Sequence, residues 1–200
     1  ALAAGRMMGH GDRQTANKAA ADVMHLMLNS IQMEGVIVVG EGEKDETSIL
    51  YHGERIGTGG LPQVDVAVDA VDGTRLLACG MPNSIASAAL APRGTLFQSG
   101  PIEYMKKIVV GNEAKNVIDI EAPVEDNLTK VAKAKGKQLR ELTIVVLDRP
   151  RHDEMVEQIR KSGARLRLIS DGDIAGALMT VFSETGVDML MGVGGTAEGV

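Results

Sequence analysis

At 200 residues, with 44% hydrophobic and 24% charged side chains, the chain can bury a substantial core in one large or two small domains, which excludes a disordered polymer. A net charge of −6, the absence of a basic run and an aromatic content of only 2%, with no Trp, argue against nucleic acid or an anionic membrane surface as partner. The lone cysteine, Cys79, rules out an internal disulfide framework and reads as a packed small residue. No stretch is apolar enough to span a bilayer and the opening ALAAGRMMGHGDR lacks the pattern of a secretion signal, so a cytoplasmic location is expected.

The first clear element is a helix over Gln14–Ile31. Ala16, Ala20, Val23, Met24, Met27 and Ile31 recur at three- and four-residue spacings as one apolar face, Asp12 is placed to cap the start, and His25 reads as structural. After Gly35, the β-branched run Val36–Val39 predicts a buried strand that ends in the carboxylate-rich turn GEGEKDE, with Glu41 and Glu43. Tyr51–Ile56 reads as a further short strand, and GTGG at 57–60 as a turn. Then comes VDVAVDAVDGTR. Valines at 64, 66 and 68 alternate with Asp65 and Ala67, predicting a half-buried strand that delivers Asp69 and Asp72 into a tight Gly73-Thr74 turn, with RLLACG starting a helix behind it. Taken alone, this acidic turn could serve a hard cation and a phosphate or could merely cap a helix.

Ile85–Leu90 is a strand or a buried helix by periodicity. Met105–Val110 and Val117–Ile120 read as strands around GNEAK, and Pro123–Lys137 as a helix with Val124, Leu128, Val131 and Ala132 inward and its lysines solvated. Strand TIVVLD, helix His152–Ser162, strand ARLRLIS, a turn into helix DGDIAGALMTVF and strand VDMLMGVGG complete an alternation. That order predicts a layered α/β sheet with a site at the carboxyl ends of its strands.

The turns after these strands collect charge: Glu41 and Glu43, Asp69 and Asp72, Arg149 and Arg151, Asp171 and Asp173, and Glu198. Acids that hold a divalent cation beside arginines that fork onto phosphate are what phosphoryl transfer requires. Singly, Tyr104 reads as a half-buried strand residue rather than a ligand, the RPR turn as a surface turn, and the DGD turn as a cap for the helix from Ile174.

The ordered segments GHGDRQTAN, VIVVGEGEKDE, VDVAVDAVDGTR, IEYMKKIVVG, LDRPRHD, LISDGDIAGA and GVGGTAEGV resemble the class II fructose-1,6-bisphosphatases over essentially the whole chain. Some members of that family also cleave sedoheptulose-1,7-bisphosphate, and the DxxDGT core is shared with inositol monophosphatases and other lithium-sensitive phosphatases. The resemblance implies an α/β fold, a layered α/β sandwich of the sugar-phosphatase (inositol monophosphatase-like) type, and Mg²⁺ or Mn²⁺ as cofactor. It implies metal ligands at Glu41, Asp69, Asp72 and Glu198 and at the position of Asn17. Catalytic roles would fall on Thr74, Asp72 and Glu41, with Asp72, Gly73 and Thr74 contacting the scissile phosphate. Tyr104, Arg149, Pro150, Arg151, Asp171, Gly172, Asp173 and Gly195 match positions that hold the sugar and its other phosphate. A sugar bisphosphate is the implied partner, with no nucleic acid and no membrane, in a homo-oligomer. Residues 1–200 would form the catalytic region without the family's C-terminal segment, with sub-domains at about 1–122 and 123–200.

Three features depart from the family pattern. Asn17 stands where the family has aspartate, which should weaken one cation site and lower activity. Ala70 and Ala197 replace prolines, loosening turns by roughly 0.4–1 kcal/mol each. The chain also stops just after Glu198, so the sheet is expected to lack strands that a further segment or another chain would supply. Competing functions are a non-catalytic phosphosugar- or metal-binding module, which Asn17 and the early stop motivate, and an inositol-monophosphatase-like enzyme, against which the second cationic turn speaks. A nucleotide-binding domain built on Gly192, Gly194 and Ala197 lacks the acid on a following strand that its fingerprint needs.

Overall fold

The computed structural model describes residues 1–42, 48–98 and 102–199, so Glu43 lies outside the described residues. Two units are present, each with its own sheet: Ala1–Glu103 with Gly195–Val200, and Tyr104–Gly194. Both are mixed α/β.

The first unit contains α1 (Leu2–Gly5), α2 (Arg13–Leu28), β1 (Glu34–Val39), β2 (Arg55–Ile56), β3 (Gln63–Asp72), α3 (Thr74–Ala78) and β4 (Ile85–Pro92). Its strand order is β2-β1-β3-β4; β1 and β3 run parallel, and the outer strands are antiparallel to them. The parallel pair brings the turns after β1 and β3 to one edge of the sheet, as the alternation predicted. Asp12 caps α2 by accepting from the Thr15 backbone N–H at 3.0 Å. The face that α2 buries keeps part of the expected one, with Ala16 and Ala20 buried and Met24 packed against the core. Alanines 16, 20 and 21 and Leu28 are buried, whereas Val23, Met27 and Ile31 are exposed and the helix ends at Leu28. Small alanines, rather than the longer side chains, form the stripe in the core with Ile37, Val66 and Val68.

Strand β3 is buried on both faces, not half-buried: every residue after Gln63 is covered. Asp65 accounts for the misreading. Its carboxylate turns inward, accepting from the backbone N–H groups of Gly94 at 2.7 Å and Leu96 at 3.2 Å, with the Arg93 Nε at 3.4 Å. An acid with one oxygen held by backbone donors and the other beside a guanidinium can sit in a core strand, so alternation alone misjudged that face. Only Arg55–Ile56 of the expected Tyr51–Ile56 strand pairs, because Glu54 N–H closes a turn onto Tyr51 O at 3.1 Å. The ambiguous run at 85–90 is a strand, fixed by its ladder to β3. Cys79 is exposed at the end of α3 rather than packed.

The second unit contains β5 (Tyr104–Val110), α4 (Val124–Ala134), β6 (Thr143–Leu147), α5 (Asp153–Ser162), β7 (Arg165–Ile169), α6 (Asp173–Met179) and β8 (Met189–Gly195), in sheet order β5-β8-β6-β7. β6 is parallel to both β7 and β8, so the turns that follow β6 and β7 share an edge. Leu128, Val131, Ile144, Val146, Ile159 and Met189 fill the core. Val117–Ile120 is a loop, not a strand. The buried Asn127 side chain satisfies that backbone by accepting from Asp119 N–H at 2.9 Å and donating to Asp119 O at 2.8 Å. Lys135 and Lys137, expected in solvent, instead converge on the buried Asp188 at 3.1 and 2.6 Å. Among the described residues no helix is long and apolar enough to cross a membrane.

Candidate metal centre

In the first unit, Asp69 and Asp72 sit at the carboxyl end of β3, where the β3–β4 register shifts between them. The irregularity allows two acids three residues apart to turn toward one place, which regular alternation would send to opposite faces. Glu198 joins them from the 3-10 turn Ala197–Gly199. One carboxylate oxygen from each of the three lies within 4.8 Å of the other two. Oxygens bound to a divalent cation at roughly 2.0–2.6 Å stand about that far apart. Burial, then the charges of Asp72, Glu198 and Glu41, push the Asp69 carboxyl up to about 7, against a lowering hydrogen bond from the Val71 backbone. An all-carboxylate donor set so crowded with like charge fits a hard cation, which would offset the repulsion.

Glu41 follows β1, and both of its oxygens are held. Oε1 accepts the Ala70 backbone N–H at 2.8 Å and Oε2 accepts the Asn17 amide at 3.0 Å. Asn17, expected among the ligands, thus presents a donor to Glu41 instead of a second carboxylate. Gly73 adopts φ +79°, a left-handed conformation that glycine tolerates, and places Thr74 at the first position of α3. Gly195 is needed close by, since a side chain there would run into the Glu198 carboxylate. A cavity of about 550 Å³ opens beside Glu41 and Thr74, lined also by Arg13, Asn17, Lys18 and Ser48. Sequence reasoning missed Arg13 and Lys18; their position in the first turns of a helix that also carries Asn17 was the available signal.

The remaining expected residues belong to the second unit. Arg149 follows β6 and donates to Asp171 Oδ1 at 2.8 Å, after β7. Arg151 donates through Nε to Val193 O at 2.9 Å, with its guanidinium 5.2 Å from the centre of the exposed Tyr104 ring. Pro150 opens the 3-10 turn between the two arginines. Gly172, at φ +95°, leads into α6, whose first residue, Asp173, is buried against Lys107 at 3.0 Å. Lys107 and the buried His152 were missed. A lysine inside the apolar run of β5, and a histidine directly after the paired arginines, were the signals.

Fold and site together define an α/β protein with a carboxylate centre suited to a divalent cation. The family described as "Bacterial fructose-1,6-bisphosphatase, glpX-encoded" matches residues 1–200, and the chain belongs to that family. It is 45% identical over 200 residues to fructose-1,6-bisphosphatase 1 class 2 of Escherichia coli (strain K12), and equally to fructose-1,6-bisphosphatase class 2 of Shigella flexneri. All of this chain is covered in each case, but it spans only 59% of the length of these relatives.

Proposed function

We propose that the protein carrying this chain hydrolyses the C1 phosphate of fructose 1,6-bisphosphate, giving fructose 6-phosphate and inorganic phosphate, with Mg²⁺ or Mn²⁺ as cofactor. The observation that carries this reading is the convergence of Asp69, Asp72 and Glu198, in a chain of this family. When bound, a divalent cation supplies charge neutralisation at phosphoryl oxygens and lowers the pKa of a coordinated water. Glu41, Asp69, Asp72 and Glu198 would hold it, with Asn17 anchoring Glu41. Thr74 orients the attacking water through its hydroxyl, and the backbone N–H groups of Gly73 and Thr74 donate to the scissile phosphate. A water oxygen–phosphorus bond forms as the water gives up a proton. The bond from phosphorus to the C1 oxygen breaks with its electron pair on that oxygen, and the C1 oxygen takes up a proton, so that in net terms the water's proton ends on the alcohol. In the second unit, Arg149 and Arg151 are the anion-holding groups. Asp171, Asp173 and Tyr104 are the acceptors and walls for a polyol, with Gly172 and Gly195 leaving room. A metabolic role in gluconeogenesis, a cytoplasmic location and a homo-oligomer follow from the same reading.

Phosphate release from fructose 1,6-bisphosphate by the full-length protein, with Mg²⁺ and with Mn²⁺, tests it against release from inositol monophosphate. Preference for the bisphosphate is expected. Calorimetric binding of the bisphosphate with no release under either metal would instead make this a phosphosugar-binding protein.

A further inference from the structure

His152 is 1% exposed and has no role in the chemistry above, yet both of its ring nitrogens are engaged. Nδ1 lies 2.8 Å from Leu147 O, and Nε2 lies 2.8 Å from the Val193 backbone nitrogen. A carbonyl can only accept and a peptide N–H can only donate. The ring is therefore neutral, with its proton on Nδ1 and a bare Nε2. It spans from the end of β6 to the peptide of Val193 in β8. The carbonyl of the same residue, in the next peptide group along, accepts the Arg151 Nε at 2.9 Å. Tyr104 bounds the guanidinium at 5.2 Å. With Nε committed, the two terminal nitrogens of Arg151 have no partner among the described residues and form the end of the fork that suits a phosphate. The space for the ring depends on Gly192, where an added Cβ would approach Cε1 and Nε2 to 3.2 Å at a φ of +155°.

We infer that His152 is a positioning residue: it fixes the backbone of Val193 through its N–H, and through the carbonyl of that residue aims the Arg151 guanidinium at the substrate's second phosphate. The inference rests on the bisphosphatase reading for the identity of the anion, but the strut itself does not.

Two variants of the full-length protein separate this role from core filling. His152→Gln can still offer an oxygen to Val193 N–H, whereas His152→Asn is too short to reach it. His152→Asn is expected to raise KM for fructose 1,6-bisphosphate about tenfold, the loss of one hydrogen bond's worth of orientation. Its kcat should be unchanged, as should its turnover of p-nitrophenyl phosphate, which has no second phosphate. His152→Gln should stay within about threefold of wild type. In an Arg151→Lys background, His152→Asn should add nothing further. A KM change under twofold for His152→Asn, or equal losses on both substrates, overturns the inference. Nitrogen-15 NMR of the wild-type ring is the arm that needs neither substrate nor variant. A proton on Nδ1 with bare Nε2 is expected, and a proton on Nε2 removes the strut whether or not the variants fold. Wild-type protein that releases no phosphate from fructose 1,6-bisphosphate overturns the enzymatic reading instead, and with it the identity of the anion, while the ring proton still decides the strut.

Discussion

Glu41 has both carboxylate oxygens held by protein donors. Asn17 and the Ala70 backbone N–H give it one donor per oxygen, so it is satisfied without a cation. Asn17→Asp replaces that donor with a second carboxylate at the same position. The metal-free variant should be destabilised by about 1–3 kcal/mol. Saturating Mg²⁺ or Mn²⁺ should recover more stability in the variant than in the parent chain. Thermal unfolding with chelator and with each metal measures both, and an equal metal response in the two proteins would refute it. Asp188 is the second residue with a clear electrostatic signature. Burial opposes its charge, but Lys137, the Thr143 N–H and Lys135 outweigh burial and hold the carboxyl below the usual aspartate range. The folded pKa therefore lies under the unfolded one. Its stabilisation is fully present above the unfolded carboxylate pKa and is lost as pH falls through the folded value. Asp188→Asn should cost about 3 kcal/mol at pH 7, because two lysines lose their partner. The gap to wild type should close in strong acid, which urea titrations at pH 7 and pH 2–3 would reveal.

At the scale of elements, the decisive features are irregularities in otherwise regular strands. The shifted register near the end of β3 frees the Ala70 N–H for Glu41 and gathers Asp69 and Asp72. β8 carries its equivalent in glycines. A Cβ on Gly194 would overlap the Asp173 carboxylate and come within 3.0 Å of the Lys107 ammonium, so the close passage of this strand is what allows the Lys107–Asp173 pair to stay buried. Gly194→Ala should displace that pair and cost about 3 kcal/mol, the range for separating buried partners. Chemical denaturation checks this. A loss below about 0.5 kcal/mol, typical of surface changes, would show that the pair is not confined as described.

For the whole molecule, two units, each with its own sheet and its own buried apolar clusters, predict two unfolding events rather than one. The carboxylate centre belongs to the first unit and Asp188 to the second. Divalent cation should therefore raise one calorimetric transition and leave the other nearly in place. Asp188→Asn should lower the second and spare the first. A single transition moved equally by both perturbations would show that the units unfold as one.

The order and type of most elements were legible in the sequence. Hydrophobic period follows backbone geometry, and DGT, RPR and DGD punctuate it with residues suited to turns. Charge at strand ends pointed to a cation site, and the seven ordered motifs carried the resemblance to the family that the chain belongs to. What periodicity could not supply was which polar groups find partners. Asp65 looked like the solvated face of β3, Val117–Ile120 like a strand, and Lys135 and Lys137 like surface charge. In each case the deciding contact lies between 8 and 53 residues away in the chain: Asn127 for the loop, Gly94 and Leu96 for Asp65, and Asp188 for the lysines. The extent of the buried face of α2 was likewise decided by packing, which covers Ala21 and Leu28 and leaves Val23 and Met27 in solvent. Sequence specifies which groups must be hydrogen-bonded or paired when buried; only the tertiary fold, by bringing distant donors and charges to them, decides which of them can be buried at all.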